Sequence, residues 1–172
     1  MHVRLLTAEK AKPVIPRLAD ILIDAVAKGA GVSFMHPLSK DDAEAYWQNQ
    51  LPDVIAGKTF IFVCEDEKFG HIAGTVMLQK AWAPNQPHRA DVAKLLVHSN
   101  SQRQGVDSAL MLAVEKKATE IGLKLITFDA VAGGGAEKFY RTMGYTPVGV
   151  IPDYAYSGNG KLDATMFFYK VL

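Results

Sequence analysis

The chain has 172 residues and a mass of 18.8 kDa, the size of one domain and too short for two that each bury a full core. With 49% hydrophobic and 22% charged residues, it can build a core, and disorder is excluded as its main state. Nineteen Lys and Arg against 18 Asp and Glu leave a formal charge of +1, so no global field draws it to nucleic acid or to an acidic membrane.

Val3 to Leu6 reads as a first strand. From Val14 to Lys28, Leu18, Ile21, Leu22 and Val26 recur at helical spacing, with Pro16 in the first turn. The run from Met1 to Pro16 has no long apolar stretch, so the expectation is no signal peptide, no spanning helix and a cytoplasmic protein. After Gly29-Ala30-Gly31 come Val32, Ser33, Phe34 and Met35, and Ser39 with Asp42 marks the start of a second helix reaching about Gln50. Thr59 to Glu65 and His71 to Trp82 form a hairpin around the turn Asp66 to Gly70. The single cysteine, Cys64, lies in the first of these strands and reads as a buried thiol. It can close no internal disulfide and can supply no zinc cluster.

Ala90 to His98 reads as a strand buried on both faces, and Gln104 to Ile121 as a long helix closed by Gly122. Its core stripe is Val106, Leu110, Ala113, Val114 and Ile121. Lys124 to Asp129 is the next strand, followed by a glycine loop at 133–135 and a short helix from Ala136 to Met143. Strands near Thr146 to Pro152 and Ala164 to Val171 complete the chain. The expected fold is α/β: one domain over residues 1–172, with a mixed, mostly antiparallel sheet of about six or seven strands and helices on both faces.

The stretch Leu95-Leu96-Val97-His98-Ser99-Asn100-Ser101-Gln102-Arg103-Gln104-Gly105-Val106-Asp107-Ser108 carries a buried strand through a polar loop into a long helix. The first turn of a helix leaves unpaired N–H donors and a partial positive charge, so an anion there gains hydrogen bonds and dipole attraction. Gly105 lets the backbone approach it closely. His98 is an ordinary surface histidine or a partner for that anion.

Gln102-x-x-Gly105-x-Asp107 resembles the Gln/Arg-x-x-Gly-x-Gly/Ala signature of the GNAT superfamily of acyl-CoA-dependent N-acetyltransferases, and Ala136 to Tyr145 is similar to that family's A-x-x-F-Y-x-x-x-G-F/Y helix and turn. Gly29 to Met35 and Arg89 to Leu96 further resemble the tabtoxin-resistance acetyltransferases. The resemblance implies transfer of an acetyl group from acetyl-CoA to the amine of a small molecule. Loop amides from Gln102 through Arg103, Gln104, Gly105, Val106, Asp107 and Ser108 would hold the cofactor pyrophosphate, and the strand at Leu95, Leu96 and Val97 would hold the acetyl end. A main-chain N–H of Leu96 or Val97 would donate to the acetyl carbonyl, and Tyr140 would protonate the leaving thiolate. It also implies sheet-edge pairing into a homodimer, which is common in the family.

Two residues depart from the pattern: Asp107 stands where the signature has glycine or alanine, and Ser99 where many members have proline. Asp107 suits a helix N-terminus by itself. Beside a bound pyrophosphate it would repel, so Asp107→Gly is expected to tighten cofactor binding. Asp91 and Asp129 are the two candidate bases, each with an alternative as a structural partner of Arg89, Lys94 or a backbone turn. Ser33, Phe34 and Met35 are the candidate acceptor-binding residues, with Tyr154 and Tyr156 on the far side. The alternative to an enzyme is a degenerate relative that binds an acyl-CoA or another nucleotide, which Asp107 and Gly133, in place of a helix-side asparagine, keep open.

Overall fold

The structure is a computed structural model that describes residues 1–66 and 70–172. In chain order the elements are β1 (His2–Leu6), α1 (Ala8–Ala11), α2 (Ile15–Ala27), α3 (Lys40–Gln48), α4 (Leu51–Ile55), β2 (Thr59–Asp66), β3 (His71–Lys80), β4 (Arg89–Val97), α5 (Val106–Glu120), β5 (Leu125–Val131), α6 (Gly135–Thr142), β6 (Thr146–Tyr156) and β7 (Leu162–Val171). The seven strands form one sheet in the order β1-β2-β3-β4-β5-β7-β6. Every neighbouring pair is antiparallel except β4 and β5. This is the expected mixed α/β architecture. The turn expected at 66–70 lies, over residues 67–69, outside the described residues.

Alternation along the strands divides the core in two, because successive side chains point to opposite faces. Ile61 and Val63 of β2 pack with Leu18, Ile21, Leu22 and Trp47 of α2 and α3. Phe62 and Cys64 pack on the other face with Leu110, Met111 and Val114 of α5. Burial pushes the Cys64 thiol pKa up, as suits a thiol without solvent. The side chain of Ser39 accepts a hydrogen bond from Asp42 N and starts α3, as the spacing predicts.

Gly74 sets how closely α5 lies on the sheet. A Cβ there would stand 2.7 Å from both Leu96 O and Val106 Cγ1, so only glycine lets the start of α5 rest on β3. The α5 stripe differs in part from the expectation. Met111 and Ala118 are fully buried, while Ala113 and Ile121 are half-buried. The helix wraps a twisted sheet, and its contact stripe is therefore wider than one row.

Strand β4 is not buried on both faces. Asp91, Ala93, Lys94, Leu95 and Val97 are half-exposed. The reason is the parallel pairing with β5, which covers only Arg89↔Leu125, Ala90↔Ile126 and Asp91↔Thr127. Beyond that the two strands separate. A bulge in the β3–β4 register between Thr75 and Met77 falls opposite Lys94 and Leu95, and Lys94 adopts φ +52°.

Candidate functional site

The separation of β4 and β5 opens a cleft through the sheet. On the side of residues 30–33 is a cavity of about 370 Å³, lined by Gly31, Val32, Ser33, Lys94, Asp129 and Tyr140, among others. On the other side a cavity of about 500 Å³ is lined by Val97, Gln102, Arg103, Val106, Asp107 and Phe139. Leu95, Gly135, Ala136 and Tyr140 line both, so the two are halves of one passage.

The floor of the second half is the loop into α5. Gly105, in the left-handed region at φ +79°, is the N-cap, and Arg103 also has positive φ at +60°. Successive left-handed and right-handed residues turn main-chain N–H groups toward one concavity. Among the described residues, the N–H groups of Gln102, Arg103, Gln104, Gly105, Val106 and Asp107 have no protein acceptor. These donors suit a pyrophosphate, with the N-terminal end of the 15-residue α5 behind them.

Two side chains shape that loop. Asp107 Oδ1 accepts from Ser108 N at 2.8 Å, so its carboxylate already takes one helix-start donor. Ser99, the departure from proline, donates through N to Asp24 Oδ2 at 2.8 Å and through Oγ to Asp24 Oδ1 at 2.9 Å. A proline would lack the first of these donors. Asp24, on α2, thus fixes the start of the loop from the far face of the sheet. His98 Nδ1 accepts from Asn100 N at 3.3 Å, which makes that side chain a cap of the short helical turn at Ser99–Ser101.

The β4 ladder separates Leu96 from Val97. His98 N donates to Ala73 O at 2.9 Å, and with the pairing Thr75↔Leu96 this makes Leu96 a hydrogen-bonded partner of β3. Val97, one residue away, turns its N–H to the opposite edge, where β5 has left. Val97 is therefore the donor available to the cleft, while the Leu96 side chain packs in the α2 core.

Tyr140 sits where the two halves meet, with its ring 4.4 Å from Phe128 and 5.4 Å from Phe168. Burial, then the carboxylates of Asp107 and Asp129, push its pKa up to about 12. The phenol is held protonated, and no protein group among the described residues takes its hydrogen bond. The Tyr140 ring packs in the core, and the residue lines both halves of the passage.

The two aspartates part company. Asp129 lines the cavity beside residues 30–33 and accepts from Thr165 Oγ1 at 3.1 Å. Asp91 lies where β4 and β5 still pair, 2.5 Å from Arg89 Nη1 and hydrogen-bonded to Thr127 Oγ1, and lines neither half of the passage. Asp91 thus makes the contact with Arg89 that one of its two readings expects. Ser33, at φ +69°, lines the cavity of about 370 Å³. Phe34 stands edge-on to Tyr46 at 5.2 Å. Met35 is 49% exposed and lines none of the cleft, because the chain has turned outward there. Tyr154 packs on Phe167, and Tyr156 lines a small recess behind Asp129.

Lys94 is the residue that sequence reasoning missed as part of the site. Its Nζ donates to Val32 O at 2.9 Å and lies over the rings of Phe34 and Tyr46 at 5.6 and 5.3 Å. Burial lowers its pKa, opposed by the negative charge of Asp129. No glycine or turn residue marks the bulge in Val92 to Val97, and a sequence does not announce a non-glycine residue with positive φ.

Among the described residues no His, Cys, Asp and Glu group could hold a metal ion, and no helix is long and apolar enough to cross a membrane. A curated relative, an uncharacterized N-acetyltransferase in the hisH-hisA intergenic region of Azospirillum brasilense, is 29% identical over 114 residues. That alignment spans 65% of this chain and 65% of the relative, which is less than two thirds of its length. The fold is similar to that of a ribosomal-protein-alanine N-acetyltransferase from Brucella melitensis, with a TM-score of 0.81, 18% identity and full coverage of both chains. It is also similar to yncA, a putative acetyltransferase from Salmonella typhimurium solved with acetyl-CoA, with a TM-score of 0.79, 14% identity and coverage of 100% and 94%. The model of the acetyltransferase (GNAT) family matches residues 25–145, the span from the end of α2 through the anion loop to the turn after α6. The chain belongs to the acetyltransferase (GNAT) family.

Proposed function

We propose that residues 1–172 form one catalytic unit that transfers an acetyl group from acetyl-CoA to the amine of a small molecule. The observation that carries this reading is the passage between β4 and β5, with unpaired main-chain donors at one end, Tyr140 where its halves meet and Asp129 at the other. The fit to the cofactor is direct. A diphosphate needs several convergent donors, and a thioester arm needs an apolar slot such as that beside Leu95, Val97 and Phe139.

Bound there, acetyl-CoA would supply an acetyl thioester activated for transfer to an amine, with its thiol as the group released. The chain's own groups have matched tasks. The N–H groups of Gln102 to Val106 hold the anion, and Val97 N–H donates where negative charge develops. Tyr140, protonated across the working pH range, holds a proton for the thiolate. Asp129, on the acceptor side, takes the proton that the amine must lose, directly or through water. Asp91 has no step.

Within the family, the likeness of residues 29–35 and 89–96 to the tabtoxin-resistance branch supports an acceptor bound between the α2–α3 loop and β4. A homodimer through β6 is part of this reading. That edge strand spans 11 residues and exposes the apolar side chains of Val148, Val150 and Ile151. Light scattering at micromolar concentration would give twice the chain mass, and a monomer at all concentrations would remove the dimer.

The second reading, a non-catalytic binder of acyl-CoA, draws on the Asp107 carboxylate already seated on Ser108 N. Acetyl-CoA-dependent thermal stabilisation followed by thiol release with an amine panel separates the two. Turnover supports the enzyme, and stabilisation without turnover of any amine supports the binder. No stabilisation by acetyl-CoA contradicts both.

A further inference from the structure

The acceptor cavity contains a feature that transfer to a generic amine does not require. Lys94 and Asp129 face the same space of about 370 Å³, yet they form no ion pair with each other among the described residues. Asp129 instead receives the Thr165 hydroxyl, and Lys94 is anchored to Val32 O. An ammonium has three N–H donors, so this anchor leaves Lys94 two. The β4 bulge and the positive φ at Lys94 turn the side chain toward the acceptor loop. There the faces of the Phe34 and Tyr46 rings attract it without neutralising its charge. A half-buried cation held this way feels the Asp129 charge but touches no carboxylate among the described residues, so a ligand anion in the cavity can add a charge-assisted hydrogen bond.

We propose that Lys94 is a specificity-determining residue that selects acceptors carrying a carboxylate near the amine, with the α-amino acid as the class that fits both charges of the cavity. The ligand carboxylate meets Lys94 on β4, and the amine lies on the Asp129 side, toward Tyr140. The same arrangement disfavours polyamines, whose second cation would meet Lys94, and it penalises amides, whose neutral carbonyl leaves the lysine charge uncompensated. This inference rests on the acetyltransferase reading above and goes beyond it by naming the acceptor class.

The test compares kcat/KM for the common L-amino acids, their α-carboxamides and putrescine, using acetyl-CoA and thiol release. Wild type is expected to prefer at least one amino acid over its own amide by about 10- to 100-fold, the range for losing a hydrogen bond to a charged group. Lys94→Met is expected to bring that ratio close to one while keeping acetyl-CoA-dependent thermal stabilisation. Lys94→Arg, which keeps the charge, is expected to restore most of the preference, which a merely structural lysine would not predict. Equal turnover of acids and amides by wild type, a better rate with putrescine, or an unchanged ratio in Lys94→Met would overturn the inference. Those results would leave acetyl transfer intact, whereas absence of acetyl-CoA binding by wild type would remove the reading beneath it.

Discussion

Replacing Asp107 tests how the anion loop works. The residue sits in the first turn of α5, and its carboxylate accepts from Ser108 N at 2.8 Å, on the wall of the cavity that would hold the cofactor diphosphate. Two like charges at roughly 4 Å repel by about 1 kcal/mol in water-like surroundings and by about 4 kcal/mol at an effective dielectric near 20. Freeing the Ser108 donor adds about 1 kcal/mol, the net worth of an ordinary hydrogen bond. Asp107→Ala serves better than glycine here, because alanine keeps helix propensity and the family signature accepts either. The variant should bind acetyl-CoA at least about 5-fold more tightly, the factor for 1 kcal/mol, as read by isothermal titration calorimetry. The gain should shrink at high salt, since exposed charges are screened. Without cofactor the variant should be slightly less stable, by about 0.3–1 kcal/mol, because a negative charge at a helix start is favourable. Unchanged or weaker affinity at low salt would refute the reasoning, and would mean that the diphosphate does not lie against this turn.

Tyr140→Phe keeps the ring packing on Phe128 and Phe168 and removes only the hydroxyl. It should lower kcat by about 100-fold or more, the usual share of a positioned acid, with acetyl-CoA affinity unchanged; a kcat within a factor of two would exclude the acid role. The phenol pKa is pushed up to about 12, and the acid form is the active one. Wild-type kcat at saturating substrates should therefore show no tyrosine-linked fall as pH rises through the usual tyrosine value of about 10; a fall there that Tyr140→Phe lacks would contradict the assignment. Asp24→Ala removes both hydrogen bonds to Ser99. It should cost about 1.5–3 kcal/mol in urea unfolding, the range for bonds to a charged group, and weaken acetyl-CoA binding; wild-type affinity would show that the loop holds its shape without the clamp.

The regular elements were legible because their signals are local. Helical spacing, the Ser39 cap and the closing glycines locate α2, α3, α5 and α6 within a few residues, and Gly105 announces the left-handed turn. The short α4 and the full length of β6 were not legible, since neither has a distinctive period. The site was legible where a motif carries it and obscure where it depends on pairing. Asp91 and Asp129 read alike until the β4–β5 ladder stops at Asp91↔Thr127 and leaves one at the paired end and the other at the opening. Ser99 reads as a departure from a pattern, and its meaning depends on Asp24, which stands 75 residues earlier. Lys94 stands in a run that reads as a strand buried on both faces, and only the bulge and its positive φ show where its side chain goes.

The account stands most directly on the main-chain donors between Gln102 and Ser108. Titrating the ¹⁵N-labelled protein with acetyl-CoA, and following each backbone amide by NMR, addresses them without assuming any acceptor. The account predicts saturable shifts that are largest for Gln102, Arg103, Gln104, Gly105 and Val106, with Val97 moving in step. Shifts concentrated elsewhere, or none at saturating cofactor, would contradict it.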